Sequence, residues 1–371
     1  MGLFATMAVA WMSSSARVPL LIHVMPWFTA DQTSLGWHWT MNRTAKEVRE
    51  SGRVASHFRP IIGPYDSNDP DVIELQVAWM KLSGFDGVLA DWYGTQSHFD
   101  YAQIHTRTET LFATAARAGL KIGVVYEDQS VGNAIREKLV LENQRGNMAR
   151  SVGAFLRANW LAKPEWIRLK GKPAVFVFGP QAFAETEWAA FRAGAGDFQL
   201  LTLHKQQPYA QGAYDWPIPS LGLGFQRDFP VRSKDWPIRV PVAFPRFQDF
   251  YTEGGQKGYP VIPDDMGQTY TKTLADAIAL GGDAIQVATW NDWQEGTQIE
   301  PSVELGMRDL IATQNARRQM DPSFAFKPAD LDLPLRLYKL RKKGPGRFNP
   351  IGEALLRGDV ALARKLLEAT G

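Results

Sequence analysis

Eight short apolar runs, alternating for the most part with longer stretches of helical spacing, constrain this chain more than any other feature. The runs fall at 20–26, 86–91, 121–127, 173–178, 198–203, 212–216, 238–244 and 284–290, and are rich in Val, Ile, Leu and aromatic residues. Most are apolar throughout and lack the alternation of a half-exposed strand, as expected where both faces are covered. Helices are expected at 70–83, 101–118, 133–158, 183–193 and 267–280. The first has Asp69 placed to cap it and Pro70 at its first position. Strands and helices in this order predict an α/β fold, a (β/α)8 barrel of the TIM type. Residues 217–237 are rich in Pro and Gly and read as loops where a helix would otherwise fall.

The barrel is expected to occupy 18–318. Before it, residues 3–12 are almost wholly apolar and are followed by Ser13, Ser14, Ser15, Ala16 and a charge at Arg17. This pattern, over 1–17, resembles the end of a secretory signal and predicts a secreted or periplasmic protein. No later run approaches the ~18 apolar residues of a membrane span, so no stable membrane insertion is expected. Residues 319–371 read as a C-terminal appendage: a basic linker containing Lys339, Arg341, Lys342 and Lys343, then a helical hairpin from Ile351 to Ala369. Residues 331–371 carry nine Lys and Arg against four Asp and Glu, which leaves the barrel mildly acidic. An acidic body lacks the basic face of a nucleic-acid binder. The chain has no cysteine, which excludes disulfides, thiolate catalysis and cysteine-bound zinc.

In such a barrel, chemistry belongs where strands end. Seven of the 13 tryptophans (27, 37, 39, 92, 216, 290 and 293) fall in segments that follow the predicted strands, interleaved with Asp91, Glu127, Asp128, Asp215, Asp292 and Glu295. Aromatic faces among carboxylates suit sugars, whose C–H faces stack on rings while their hydroxyls bond to acids and amides. Asp292 and Glu295, three residues apart after the last strand, form a candidate acid/base pair. Glycoside hydrolysis needs one carboxyl protonated and one ionised, and burial with like charge separates two such groups. The six histidines show no metal-ligand spacing, and no phosphate loop, zinc-protease motif or serine-nucleophile motif is present.

Tyr65–Pro70, Gly84–Gly94, Pro26-Trp27, His38-Trp39, Tyr126–Asp128 and Thr289–Pro301 together resemble glycoside hydrolase family 99, the endo-α-mannosidases and endo-α-mannanases, over roughly residues 20–305. The resemblance implies a barrel that cleaves internal α-linkages of a polysaccharide or glycan with retention, without metal or cofactor. It implies Glu295 as general acid/base and Asp292 at the place of a family glutamate that deprotonates the sugar 2-hydroxyl, giving a 1,2-anhydro sugar. Glu127, Trp92 and His38 would contact the sugar in the −1 subsite, with Arg246 in the same pocket. Trp27, Trp39, Tyr93, Trp290 and Trp293 complete the expected substrate-binding set. Asp292 departs from that family by one methylene. Trp-Asn-Asp-x-x-Glu is also similar to family 71, the α-1,3-glucanases, while Thr297–Pro301 is similar to family 99. A carbohydrate-binding or polymer-assembly protein on the same barrel is the alternative of a different class.

Overall fold

The structure, a computed structural model, describes residues 17–31, 34–344, 346 and 348–370. The signal-like run therefore lies outside the described residues, apart from Arg17. Ten strands form one sheet: β1 (Leu20–Val24), β2 (Gly87–Trp92), β3 (Lys121–Tyr126), β4 (Arg168–Leu169), β5 (Lys172–Val177), β6 (Gln199–Leu203), β7 (Gly212–Tyr214), β8 (Ile238–Val240), β9 (Val242–Ala243) and β10 (Ile285–Val287). All pairings along the sheet are parallel, in the order β8-β7-β6-β5-β3-β2-β1-β10-β9, and β4 is a short antiparallel addition to β5. The sheet closes through one stave. β8 and β9 flank Pro241, and the lower half pairs with β7 while the upper half pairs with β10. Eight staves result, and the fold is a TIM-type barrel.

The helices that matter for the site are α1 (Pro70–Ser83), α2 (Tyr101–Arg117), α3 (Gln129–Arg136), α4 (Arg145–Asn159), α5 (Glu185–Ala195), α6 (Gln268–Leu280), α7 (Arg308–Met320), α8 (Asp332–Lys343), α9 (Asn349–Arg357) and α10 (Val360–Glu368). At the start of α1, Asp69 accepts the Asp71 N–H, and at its end Gly84 takes a left-handed conformation at φ 96°. Four expectations need correction. The helix expected over 133–158 is two, because Lys138 turns left-handed at φ 59° after α3. The Pro-rich 217–237 segment contains two helical turns, Leu223–Arg227 and Phe229–Arg232, with Pro230 in the first turn of the second, where its missing N–H costs nothing. The basic run is no linker. It closes α8, where Arg341 pairs with Asp71 and Glu74, and Lys342 with Asp69, at the acidic start of α1. α7 also runs past 318. Among the described residues no helix is long and apolar enough to cross a membrane.

The alternation of side chains along each stave divides the core in two. Leu21, Leu89, Val125, Phe176 and Leu201 fill the barrel; Leu20, Ile22, Val88, Ala90, Ile122, Val124 and Val175 face the helices. This parity sends His23, Asp91 and Glu127 inward, and Trp92 and Tyr126 outward.

Candidate active site

The segment after β10 is folded by its own hydrogen bonds. Thr289 N–H donates to Thr297 O, the two threonine hydroxyls meet at 3.0 Å, and Glu300 N–H donates back to Trp290 O. Inside that loop Asp292 N–H donates to Thr289 Oγ1 at 2.8 Å, and Glu295 N–H donates to Asp292 Oδ1 at 3.0 Å. Gly296 makes the turn possible. It sits at φ 69°, and a Cβ there would lie 2.5 Å from Gln248 O. The neighbouring strand-end loop is held against it by Gln248 N–H to Glu295 O and Phe250 N–H to Gln294 O.

Burial and charge then set the acids apart. Asp292 is 4% exposed, and desolvation pushes its carboxyl up to about 6 against the amides of Glu295 and Gln294 and the nearby His38. Glu295 is pushed well above the carboxylate range, first by burial and then by the charge of Asp292; hydrogen bonds from Tyr251 and Trp216 oppose this. Tyr251 O–H donates to Glu295 Oε1 at 3.3 Å. Of the two, Glu295 is the one that keeps its proton and Asp292 the one that ionises first. Two further carboxyls share the barrel mouth. Asp91, 3.9 Å from a buried and neutral His23, is raised by burial and by Asp292; Glu127 is raised by burial and by Asp91. Glu127 Oε2 accepts from Gln129 at 2.8 Å and Gln181 at 3.0 Å. Asp128 fixes that second donor by accepting the N–H groups of Gln181, Ala182 and Phe183.

A cavity of about 840 Å³ is lined by His38, which bonds to Gln294 of the acid loop, and by Gln129, which bonds to Glu127; the four carboxyls themselves do not line it. One wall comes from the segment after β1, with Trp27, Trp37 and His38; the other comes from the segment after β2, with Tyr93, Phe99 and Tyr101. His38 joins groove to pair. Its ring stacks on Trp27 at 4.4 Å, its Nδ1 meets Gln294 Oε1 at 2.9 Å, and its Nε2 lies 3.6 Å from Asp100. Among the described residues no group of three or more His, Cys, Asp or Glu could hold a metal ion.

Asp292, Glu295, Glu127, His38, Trp27 and Tyr93 thus gather around one mouth and groove. Five expected substrate contacts do not. Trp92 points outward by parity and packs on Phe155 and Trp160. Trp39 is buried on Phe28 with its N–H on Tyr65 O. Trp290 lies in the helix-facing core and Trp293 in the barrel-side core, both fully buried. Arg246 is 1% exposed, bonded to Asp264, Asp309 and Gln298 O. These side chains shape the scaffold and offer no face to a ligand. Conversely, Trp37, Phe99, Tyr101, Asp91, Tyr251, Gln129 and Gln181 belong to the site without having been assigned to it. Parity along β2 would have found Asp91; nothing in the sequence around Tyr251 marks it.

No protein-family model matches the chain. It is 24% identical over 278 residues to the glycoprotein endo-alpha-1,2-mannosidase-like protein of Danio rerio, a match covering 67% of this chain and 60% of that relative's length. In fold it is similar to two structures of the GH99 endo-alpha-mannosidase of Bacteroides thetaiotaomicron. These have TM-scores of 0.63 and 0.60 at 18% identity, covering 81% and 82% of this chain and 98% and 97% of those chains. A glycoside hydrolase-like protein matches with a TM-score of 0.55 at 12% identity, over 85% of this chain and 97% of its own.

Proposed function

We propose that this chain, similar in sequence and in fold to the family 99 glycoside hydrolases, is an endo-acting hydrolase of α-linked polysaccharide or glycan. The observation that carries this reading is the placement of Asp292 and Glu295 on one hydrogen-bonded loop after the last strand, tied through Gln294 and His38 to an aromatic groove. In the proposed reaction on an α-mannoside, whose O2 is trans to the leaving oxygen, Asp292 takes the proton of the sugar 2-hydroxyl, O2 closes on C1, and Glu295 gives its proton to the departing glycosidic oxygen. Water then opens the 1,2-anhydro ring at C1, Glu295 takes the water proton and Asp292 returns its own to O2. The order of the two carboxyls supports these roles, since burial and repulsion leave Glu295 the harder to ionise. Glu127, with two amides fixing its orientation, would accept a hydroxyl of the same sugar. Trp27, Trp37, Tyr93 and Phe99 would stack along the chain on one side of the cleaved bond.

The shorter side chain of Asp292 favours a second reading, an α-1,3-glucanase of the family 71 kind, on the same acids. A secreted or periplasmic location is part of the proposal and rests on the N-terminal run. The test is a panel of α-mannan, α-1,3-glucan and other α-linked polymers, with the first-formed anomer read by NMR. We expect internal cleavage of one α-linked class with the α-anomer released first. Binding without cleavage across the panel would favour the carbohydrate-binding alternative, and release of the β-anomer would remove the anhydro route.

A further inference from the structure

Glu300 closes the motif that begins at Trp290, yet it lies on the far side of the loop from the groove. It is 3% exposed, and three donors converge on it: Tyr65 O–H at 2.7 Å, Gln76 Nε2 on α1 at 2.6 Å and Trp293 Nε1 at 3.2 Å. Tyr65 in turn accepts from Asn291 Nδ2 at 3.1 Å and from Trp293 Nε1 at 3.3 Å. Asn291 is fixed again at the end of β1, where its amide both donates to Met25 O and accepts from Met25 N–H. The two residues that flank Asp292 in sequence therefore share one anchor, and that anchor is tied to α1 and β1, outside the loop itself. Tyr65, Gln76 and Trp293 each point a hydrogen toward Glu300, and Asn291 and Trp293 toward the hydroxyl that Glu300 orients. Such a network acts as a unit, because removing the terminal acceptor frees the donors behind it.

We propose that Glu300 is a positioning residue for the reacting pair, its buried carboxylate holding Asn291 and Trp293, directly and through Tyr65, so that Asp292 and Glu295 stay in register. The proposal rests on the hydrolase reading for its kinetic consequence, but the clamp itself has a readout that needs no turnover. Neither Glu300 nor Tyr65 reaches the groove, so substrate affinity should be little affected by their loss, while a shift of ~1 Å at the acids costs about a hundredfold in rate.

The test compares wild type, Glu300→Gln, Glu300→Ala and Tyr65→Phe, measuring kcat and KM on whichever α-linked polymer the wild type cleaves and amide hydrogen exchange across 289–298. Glu300→Gln keeps an acceptor for Tyr65 and Trp293, Gln76 can turn its own oxygen toward the new amide, and kcat should stay within about fivefold of wild type. Glu300→Ala should lose about a hundredfold in kcat with KM within about twofold, and Tyr65→Phe about tenfold. The amides of Asp292 and Glu295 should exchange at least about tenfold faster in Glu300→Ala, while β2 and β3 keep their rates. Equal losses in the Gln and Ala variants, a change confined to KM, or exchange that rises evenly over the barrel would overturn the proposal. Should Glu300→Ala fail to fold, Tyr65→Phe carries the test, with its about tenfold loss in kcat at unchanged KM and faster exchange confined to 289–298. A wild type inert on every α-linked polymer refutes the hydrolase reading alone, and the exchange comparison still decides the clamp.

Discussion

The backbone N–H of Glu295 donates to the carboxylate of Asp292 at 3.0 Å, so the residue that supplies the higher-pKa acid also stabilises the charge of its partner. A carboxylate that accepts main-chain N–H bonds holds its charge more readily, and its charge in turn makes the neighbouring carboxyl harder to ionise. One short loop therefore orders the protonation of both groups.

This order fixes the sign of the pH dependence. In the proposed reaction the active form has Asp292 ionised and Glu295 protonated. Activity should rise as pH passes through about 6, where Asp292 loses its proton, and fall at higher pH as Glu295 loses its own. The measurement is kcat/KM from pH 4 to 9 on the cleaved polymer. An acidic limb near pH 4, the range of an ordinary carboxyl, would contradict it.

The same burial makes a prediction for stability. A carboxyl whose pKa is raised on folding contributes stability below its unfolded pKa near 4 and loses that contribution as pH rises through its folded value. For Asp292 the window runs from about 4 to about 6, and for Glu300 from about 4.5 to about 7. Asp292→Asn should therefore be more stable than wild type at pH 7.5, by ~3 kcal/mol, and indistinguishable from it at pH 3.5. Thermal melts at the two pH values decide this, and an equal difference at both would count against the assignment.

Aromatic residues in the strand-end segments divide by exposure into two experimental classes. Trp37, 47% exposed on the groove wall, should raise KM for polymer by about three- to tenfold on substitution by Ala, with kcat unchanged. Trp92→Ala should instead cost ~3–5 kcal/mol of stability, from a cavity among Tyr126, Phe155 and Trp160. Denaturant melts and steady-state kinetics on the two variants separate these outcomes.

Arg246 belongs to the second class. Its guanidinium lies between Asp264 and Asp309, both of which also pair with Arg308, so Arg246→Ala removes the buried one of two cations they share. The loss should be ~1–3 kcal/mol of stability. A variant that melts like wild type but binds polymer weakly would restore Arg246 to the pocket.

These distinctions show how far residue order carries. The apolar runs and the Asp69-Pro70 helix start are local signals, and the eight staves follow from them. That residues 292 and 295 share one loop is legible because they follow the last strand, and the loop that holds them closes on itself. Trp92 was misread because strand position was used without strand parity: Leu89 inside and Ala90 outside already place Asp91 inward and Trp92 outward. Arg246 and Trp293 were misread because their partners, Asp309 and Tyr65, lie 63 and 228 residues away. The division of 133–158 depends on a left-handed turn at Lys138, a residue type that carries no such signal.

The most direct measurement of the central claim is the pair Asp292→Asn and Glu295→Gln assayed beside wild type on the cleaved polymer, with binding of the uncleaved oligosaccharide to each variant measured by calorimetry. Each substitution should lower kcat by about a thousandfold or more while the dissociation constant stays within about tenfold of wild type. Cleavage by either variant at a rate near that of wild type would contradict the assignment of these two carboxyls as the reacting pair.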